Sequence, residues 1–489
     1  MSAFNAELFG KIAEKALQLM NVAGAAVSII EDGEVVFSGG YGYADTDKQI
    51  PMTADTVLPI GSSSKAFTAT AVMSLSADKK LDIDKPVREY MPSFALHDPI
   101  ASQHATTRDL LCHRTGMPRH DLLWISWKDA ERAELVEKRL PHLKENKSFR
   151  SKWEYNNYMF AAAGLLIEKI TGQSWEDYVS EKIFKPLGMN DTSPMTPLEG
   201  KPVAQLYRIN KETQANEPIA SMPLKAIGPA GSIQSTASDM AQWIKFNLNK
   251  GKVGEDVLLA PEAYAELTKP NIPYELLPFQ VPDNTPLGYG LGWFISSFRG
   301  EKLVEHGGNV FGASALAAFL PEKNSGVVVL TNQDSTFATY ALAFAAFDQI
   351  LGKVGTDWPE FWDGKIKELM KQGEDQLDAF KKMVKPDKPL THSLEEYAGE
   401  YEHPGYGELT VSHADEGFTI TLHDETMKMI HKHYDVFYCE MHGIPLPCSF
   451  KTGFDGNIES LSVAFEPAAE PAEFKKAAKP EVADIELMQ

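Results

Sequence analysis

The chain has 489 residues, of which 43% are hydrophobic and 24% are charged, a composition typical of folded globular domains. This length predicts two or three domains. The formal net charge of -21 excludes the extended basic surface that holds nucleic acid or anionic lipid, so we expect neither a nucleic acid nor a membrane as partner.

Cysteine content and the first 20 residues bear on the compartment. Three cysteines, Cys112, Cys439 and Cys448, make no disulfide framework, and buried thiols are favoured over a Cys439–Cys448 bridge. The first 20 residues are amphipathic and lack the basic start and apolar run of a signal peptide. No stretch is apolar and long enough to span a membrane. We therefore expect a cytoplasmic protein.

The N-terminal part of the chain predicts a helix, a hairpin and a second helix. Apolar residues at helical spacing predict a helix over 4–20. Two β-rich runs, 24–30 and 34–37, flank Asp32-Gly33, a dipeptide that favours a tight hairpin turn. Good helix formers then fill 66–77.

The middle of the chain is predicted to be mostly helical, with strands returning after it. The helical patterns cover 106–113, 130–140, 158–171, 175–183, 238–248 and 337–351, and the strand patterns cover 290–297, 313–320 and 326–331. Sheet segments at both ends of a helical block predict an α+β fold. Its antiparallel sheet is completed late in the chain, helices flank the sheet, and a helical subdomain is inserted.

A second domain is predicted after residue 352. A charged helix over 358–383 and a proline-containing linker precede short β-runs separated by turns, which predict a small all-β barrel domain. We divide the chain into 1–352, a linker over 353–392, and the all-β domain over 393–489. The composition after Pro467 is that of a mobile tail.

Ser62 and Lys65 are the first candidate catalytic residues. They lie three residues apart at the start of the 66–77 helix, so the lysine amine can reach the serine hydroxyl. A serine nucleophile needs an adjacent base, and a lysine serves as one only when its pKa is lowered. Free N–H groups at a helix N-terminus suit an oxyanion. Taken alone, such a serine run is more often a helix cap.

Tyr155 and Asn157 form a second candidate pair. They are two residues apart in a segment expected to be non-helical, so both can face one site. A tyrosine beside a lysine can ionise more easily and relay a proton, and an asparagine can orient a substrate amide and hydrogen-bond the lysine. The structural alternative is a packing tyrosine followed by a helix cap.

His306, Gly307, Gly308 and Asn309 form a third candidate group at the edge of the late strands. Glycines let a ligand approach a strand backbone closely. The main-chain N–H of Asn309 could join that of Ser62 in an oxyanion hole. His306 would add a donor and, when protonated, a charge. The alternative is a glycine turn with an incidental histidine.

Taken in this order, Ser62-x-x-Lys65, Tyr155-x-Asn157 and His306-x-Gly308 resemble the motifs of the penicillin-recognising serine hydrolases. These are the serine β-lactamases, the penicillin-binding DD-peptidases and their relatives. The usual third motif is Lys-Thr-Gly, and the His-x-Gly form is similar to the D-aminopeptidase and esterase branch. Similar stretches also occur at 107–116, 186–189 and 288–293. The resemblance covers 1–351, and the domain after the linker resembles a lipocalin-like barrel.

The resemblance implies a mechanism. Ser62 attacks a carbonyl with help from Lys65 and Tyr155, and water hydrolyses the acyl-enzyme. The N–H groups of Ser62 and Asn309 stabilise the oxyanion, and Tyr155 returns a proton to the leaving group. Asn157 holds the substrate amide. Neither a cofactor nor a metal is implied, and the substrate is a small molecule or a short peptide.

Several functions stay open at this point. The favoured one is hydrolysis of a small amide or ester, as by a D-aminopeptidase or an esterase. Because histidine is mostly neutral near pH 7, β-lactamase or DD-peptidase activity on carboxylate-bearing substrates is the alternative. An acyltransferase would use the same residues, and a binding protein could retain the fold. The C-terminal domain could gate the site, limit substrate size or mediate a homo-oligomer.

Two further patterns in the all-β domain are interpreted as structural. Lys451-Thr452-Gly453 spells the usual third motif, but Asp455 and Gly456 follow it, so we expect a hairpin turn. No cysteine or carboxylate spacing completes a zinc pattern among the histidines of this domain. These histidines are His403, His413, His423, His431, His433 and His442.

Overall fold

The structure is a computed structural model that describes residues 4–477 except 211, 276, 354, 384, 386, 415–416 and 442–443. Its α-helices in chain order are α1 (Ala6–Leu19), α2 (Ser64–Ala77), α3 (Pro99–His104), α4 (Thr107–Leu111), α5 (Leu122–Ser126), α6 (Asn157–Thr171), α7 (Trp175–Val179), α8 (Lys185–Leu187), α9 (Gly228–Gly231), α10 (Ala237–Leu248), α11 (Pro261–Leu267), α12 (Ala338–Ile350), α13 (Trp358–Lys381) and α14 (Leu394–Tyr397). Glu134–Arg139 and Ser180–Phe184, which lie in segments predicted as helical, have π-helical hydrogen bonding.

The strands belong to one large sheet, one barrel and three short two-stranded pairs. In chain order they are β1 (Gly24–Glu31), β2 (Glu34–Asp45), β3 (Ile50–Pro51), β4 (Leu58–Pro59), β5 (Leu206–Ile209), β6 (Asn216–Ile219), β7 (Gln234–Ser235), β8 (Lys252–Val253), β9 (Asp256–Val257), β10 (Asn284–Tyr289), β11 (Phe294–Phe298), β12 (Glu301–Val310), β13 (Ala313–Leu320), β14 (Ser325–Thr331), β15 (Gly399–His403), β16 (Gly407–Ala414), β17 (Gly417–Leu422), β18 (Glu425–His433), β19 (Val436–Met441), β20 (Ile444–Thr452), β21 (Ile458–Val463) and β22 (Ala472–Lys476).

The large sheet joins the two ends of the predicted first domain, residues 1–352. Its strand order is β10-β11-β12-β13-β14-β1-β2-β3, and every pairing is antiparallel. β1 and β14 meet near the middle, with Val27 opposite Val329. The two-residue turn between β1 and β2 has positive φ at Asp32 (50°) and Gly33 (82°), the geometry that Asp-Gly favours. The predicted α+β fold with a late-completed antiparallel sheet is confirmed.

Helices cover both faces of this sheet. β1, β13 and β14 are buried along their whole length, which is why their sequences are nearly continuous apolar runs rather than alternating ones. One apolar core forms where α2, α6 and α10 pack on one face. The other core forms under α1, α12 and the start of α13.

Two sequence predictions near the site are corrected. The predicted strand over 290–297 begins only at Phe294, because Gly292 takes φ 73° in the turn between β10 and β11. The His306–Asn309 group was expected at a turn or strand edge, whereas it lies inside β12, a strand that the sequence did not predict. Gly307 and Gly308 have low β-propensity, so the sequence alone favours a strand here only weakly. The strand is stabilised by pairing with β13, where the two glycines lie opposite Leu316 and Ala315.

The C-terminal unit is a closed barrel of β15 to β22, so the predicted barrel is confirmed. β22 pairs with both β21 and β15 and closes it. The expectation of a mobile tail from Pro467 is therefore wrong for Ala472–Lys476, and residues 478–489 lie outside the described part of the chain. The 451–453 motif ends β20 at a hairpin turn, where the Gly453 N–H donates to the Asn457 carbonyl, as predicted.

Thiols and histidines of the barrel show no ligand arrangement in the described residues. The Cys439 and Cys448 sulfurs are buried 3.7 Å apart as free thiols. No group of three or more potential metal ligands occurs in the part of the chain that the structure describes, and His442 lies outside that part. Among the described helices, none combines the length and the apolar character needed to cross a membrane.

A buried carboxylate ties together the segments that lead into the site. Asp109 caps its own helix by accepting from Thr106, and it also pairs with Arg114 and, at 2.6 Å, with Arg150. Burial of Asp109 opposes its ionisation. Hydrogen bonds from Arg150 and Thr106, with the charge of Arg114, outweigh burial and lower the pKa of Asp109. The carboxylate therefore stays charged in the folded protein.

Replacing Asp109 by asparagine is expected to lower the free energy of unfolding by about 3 kcal/mol at pH 7, because two guanidinium groups lose a buried partner. A lowered folded pKa stabilises the protein above the unfolded value of about 3.9, so the difference from wild type should shrink as pH falls below about 4. Urea titrations at pH 7 and pH 4 measure this. Asp78→Asn, in an exposed ion pair with Lys80, is the control and should change stability by less than about 0.5 kcal/mol.

Candidate active site

Ser62 lies in a short 3₁₀ turn, Gly61–Ser63, directly before α2. Gly61 has φ 51°, and a Cβ there would approach the main-chain nitrogen of Asn309 to 2.9 Å. The Ser63 hydroxyl donates to the His306 carbonyl across 2.8 Å. The turn that carries the nucleophile candidate is thus held against β12, and Ser62 itself stays partly exposed.

Lys65 is completely buried one turn further along α2. Its Nζ lies 2.9 Å from Ser62 Oγ, 2.8 Å from Asn157 Oδ1 and 2.8 Å from the Ala230 carbonyl. Burial, reinforced by the nearby Arg119 charge, holds the Lys65 pKa well below its usual range. Once deprotonated, the amine can donate its two N–H groups to Asn157 and Ala230 and direct its lone pair at the Ser62 hydroxyl, 2.9 Å away.

Tyr155 completes the immediate surroundings of Ser62 and Lys65. Its hydroxyl hydrogen-bonds Ser62, and its ring lies beneath Lys65 Nζ at 4.7 Å from the centroid. Burial raises the pKa of Tyr155 far above its usual value, although the Ser62 hydrogen bond and the Arg119 charge oppose this. The expectation that Tyr155 ionises easily is therefore wrong. It is a neutral phenol that can pass a proton on.

Asn157 is the first residue of α6, because the preceding Asn156 is the cap and accepts from the Met159 N–H. The Asn157 side chain bridges Lys65 and Asp121. Its Oδ1 accepts from Lys65, and its Nδ2 donates to Asp121 Oδ1 across 2.9 Å. The amide thereby fixes the position of the lysine amine.

His306 is buried on β12, and both of its ring nitrogens have protein partners. Nδ1 lies 2.6 Å from the Gly307 carbonyl, so it carries the proton, and Nε2 accepts from the Tyr289 hydroxyl across 3.0 Å. Burial is the main cause that lowers its pKa to about 3. The extra donor and the protonated charge that the sequence suggested are absent from this arrangement, so His306 is a neutral wall of the site.

Gly308 allows β12 to pass very close to the nucleophile turn. A Cβ at this position would lie 1.9 Å from the Ile60 carbonyl oxygen and 2.8 Å from the Ser62 nitrogen. A Cβ at Gly307 would lie 3.2 Å from the Tyr340 hydroxyl. The main-chain N–H groups of Ser62 and Asn309 are consequently neighbours, which is the placement that an oxyanion hole needs.

A cleft of about 530 Å³ is lined by five of the candidate site residues, namely Ser62, Tyr155, His306, Gly307 and Asn309. Aromatic side chains form much of its wall, namely Trp153, Phe294, Phe337 and Tyr340, with hydroxyl groups from Ser335, Thr336 and Thr339. Among the described residues that line it, Arg119 is the one that carries a permanent charge. The guanidinium of Arg119 stands over the Tyr155 ring at 5.1 Å and pairs with Asp121. The cleft suits a small, partly apolar substrate.

Sequence patterns do not identify the residues that hold this site together. His113 brackets Tyr155: its carbonyl accepts from the Glu154 N–H at 2.8 Å, and its Nδ1 accepts from the Asn156 N–H at 3.1 Å. Asp121 orients Asn157, and Tyr289 orients His306. No spacing rule relates these positions to their partners, because the contacts cross between separate segments of the fold.

Comparison with known proteins identifies the family. The family model described as Beta-lactamase matches residues 12–349, well over half of the chain. The chain belongs to the β-lactamase family. A second model, described as a domain of unknown function (DUF3471), matches residues 384–476 and so includes the barrel strands β15 to β22.

Relatives of this β-lactamase-family chain include hydrolases. Unguisins hydrolase ungD' of Aspergillus campestris is 28% identical over 491 residues, covering 94% of this chain and 89% of that protein. The octameric penicillin-binding protein homologue from Pyrococcus abyssi has a TM-score of 0.64 at 23% identity, with 96% and 100% of the two chains covered. For a D-stereospecific amidohydrolase from Streptomyces sp. the TM-score is 0.54 at 23% identity, with 68% and 95% covered. The two structures show the shared fold, and with the family match the chain is a serine hydrolase.

Proposed function

We propose that this serine hydrolase forms an acyl-enzyme on Ser62 and hydrolyses a small amide or ester, with an activity of the D-aminopeptidase or esterase type. The observation that carries the proposal is the buried Lys65 amine. It is 2.9 Å from Ser62 Oγ, and its remaining contacts are satisfied by Asn157 and Ala230. A neutral amine so placed is the base that a serine nucleophile requires.

Each neighbouring group then has one role in the proposed reaction. As Ser62 Oγ bonds to the substrate carbonyl carbon, Lys65 takes its proton. The N–H groups of Ser62 and Asn309 stabilise the oxyanion. Tyr155 gives its hydroxyl proton to the leaving amine or alcohol and is reprotonated from Lys65. Water then cleaves the acyl–Ser62 bond by the same proton transfers in reverse, with Asn157 positioning the substrate amide.

The neutral His306 bears on the class of substrate. A lysine at the third motif would place a permanent positive charge there, whereas His306 is uncharged and engaged by Gly307 and Tyr289. Substrates that need a cation at that position are disfavoured, so β-lactams and peptidoglycan-type peptides are the alternative rather than the first choice. The name of one structural neighbour, a D-stereospecific amidohydrolase, supports amide substrates.

The test is the intact mass of the protein after incubation with a p-nitrophenyl ester. We expect wild type to gain the mass of one acyl group, Ser62→Ala to gain none, and the control Ser74→Ala, at the far end of α2, to label like wild type. Label retained in Ser62→Ala would contradict the proposal. A parallel incubation with a penicillin separates the two substrate classes, and added amines that accept the acyl group would indicate transfer instead of hydrolysis.

Assembly stays a prediction. The octameric state named for the Pyrococcus abyssi neighbour supports a homo-oligomer. Its formation through the barrel is our proposal. The division of the chain at residues 352 and 392 likewise remains our proposal.

A further inference from the structure

The barrel contacts the domain that carries the active site through a segment that includes His120, Ser126, Trp127 and Lys144. The Asp424 N–H donates to the Ser126 carbonyl at 2.8 Å, and His423 stacks on Trp127 at 4.5 Å. Lys144 pairs with Glu470 at 2.7 Å. The nearest of these contacts to the active site is made by His120.

His120 is buried and makes two hydrogen bonds with barrel residues. Its Nδ1 lies 2.8 Å from the Tyr406 hydroxyl, and its main-chain N–H donates to Glu466 Oε2 at 2.8 Å. The Lys144 carbonyl lies 2.8 Å from Nε2, so Nε2 carries the proton and Nδ1 accepts from Tyr406. Burial also lowers the pKa of His120, which agrees with this neutral tautomer.

The backbone of His120 is in a conformation that needs such support. Its φ of 47° lies in the left-handed region, which is unfavourable for a residue with a Cβ. The Tyr158 hydroxyl, which belongs to the same domain as His120, donates to the His120 carbonyl across 3.2 Å. The hydrogen bonds to Tyr406 and Glu466 come from the barrel. The barrel therefore helps to hold His120 in this left-handed conformation, which sets the position of Asp121.

That next residue, Asp121, reaches the catalytic lysine through one amide. Asp121 Oδ1 accepts from Asn157 Nδ2 at 2.9 Å and from Trp124 Nε1 at 2.7 Å. Asn157 Oδ1 in turn accepts from Lys65. On the other side of His120, Arg119 pairs with Asp121 and lies over the Tyr155 ring. Moving His120 would displace both charges that flank the site.

We propose that Tyr406 and Glu466 of the barrel are positioning residues for the hydrolytic site. They hold residues 119–121 where Asp121 can hydrogen-bond Asn157, which in turn contacts Lys65. The inference rests on the proposed function for its kinetic consequence. It also gives the DUF3471-matching barrel a role within this chain: the barrel stabilises the geometry of the active site from behind, without contacting the reacting atoms.

The test uses the full chain with Tyr406→Phe, which keeps the packing against Phe465 and removes only the hydroxyl. We expect kcat for a neutral ester to fall about 10-fold with little change in KM, since a positioning defect affects the reacting geometry rather than binding. Glu466→Ala should act in the same direction. Tyr434→Phe, at an exposed barrel tyrosine, is the matched control and should keep the wild-type kcat.

The pH profile distinguishes positioning from general loss of structure. The acid limb of kcat/KM reports protonation of Lys65. Loosening the segment weakens both the Arg119 charge, which lowers the Lys65 pKa, and the smaller effect of the Asp121 charge, which raises it. Because the Arg119 effect is the larger, the limb should move to higher pH. The charged and titratable groups that face Lys65 are Arg119, Asp121, Tyr155, His113 and His306. An unshifted limb, or a kcat loss that only follows a lower melting temperature, would overturn the proposal.

A second readout does not depend on activity. In hydrogen-exchange mass spectrometry, peptides that cover 119–128 should exchange faster in Tyr406→Phe than in wild type, and those of Tyr434→Phe should not. Equal exchange in all three proteins would overturn the inference. If wild type and Ser62→Ala turned over the ester equally, the proposed function would fail, while the exchange comparison would still decide the coupling between barrel and site.

Discussion

Replacing Lys65 by methionine is expected to lower kcat/KM for a neutral ester by about 10²- to 10⁴-fold, the contribution typical of a general base. Methionine has a similar length but no lone pair on nitrogen. The Ser62 hydroxyl would have no acceptor for its proton, and Asn157 Oδ1 and the Ala230 carbonyl would lose a buried donor. Single-turnover acylation monitored by p-nitrophenol release measures the step directly.

Lys302→Met provides a matched control for this prediction. Lys302 is also partly buried, also has a lowered pKa through burial, and also donates to a main-chain carbonyl, that of Thr268 at 3.2 Å. It lies on β12 but is not among the residues that line the cleft. Its substitution should change kcat/KM by less than about twofold. Equal losses in both variants would show that removing a buried lysine, rather than a base, explains the effect.

The pH dependence follows from the same residue. The base form of Lys65 is the active one, so kcat/KM should fall as pH decreases through its pKa. Because burial and the Arg119 charge lower that pKa well below the usual lysine value, the enzyme should remain active at neutral pH. His306 should not contribute to this limb near neutrality, because its pKa is lowered to about 3.

Replacing Gly308 by alanine is expected to reduce kcat about 100-fold or more, because a shift of about 1 Å in reacting groups has that effect. The new methyl group would lie 1.9 Å from the Ile60 oxygen and 2.8 Å from the Ser62 nitrogen. Both neighbours are backbone atoms and cannot rotate away, so β12 and the nucleophile turn must separate. We also expect a loss of about 1–3 kcal/mol in the free energy of unfolding.

Gly373→Ala is the control for this substitution. Gly373 lies in α13 with no atom near the position of its Cβ, so alanine should raise stability by about 0.5–1 kcal/mol and leave kcat unchanged. Chemical denaturation and steady-state kinetics on both variants give the comparison. Wild-type kcat in Gly308→Ala would show that the two backbones are not as close as the structure places them, and the oxyanion-hole assignment would fall with it.

Local chemistry made several features of this protein predictable from sequence. Asp32-Gly33 specifies its turn because both residues tolerate positive φ, and Thr106 with Asp109 specifies a helix start through reciprocal capping. The contact between Ser62 and Lys65 follows from the three-residue spacing alone. These features depend on neighbours in the chain, so periodicity and spacing carry them.

Long-range packing decided the rest. The pKa of Lys65 is set by burial among segments that are up to 165 residues away. Burial likewise keeps His306 neutral, and Tyr289 from a separate strand orients its ring. The strand that carries Gly308 was missed because its own residues favour it weakly, and pairing with β13 forms it. Asp121 became part of the site only because the chain turns at His120, where the barrel holds it. The sequence thus determined the reactive groups, and the tertiary structure determined their protonation, their orientation and the contacts that hold them in place.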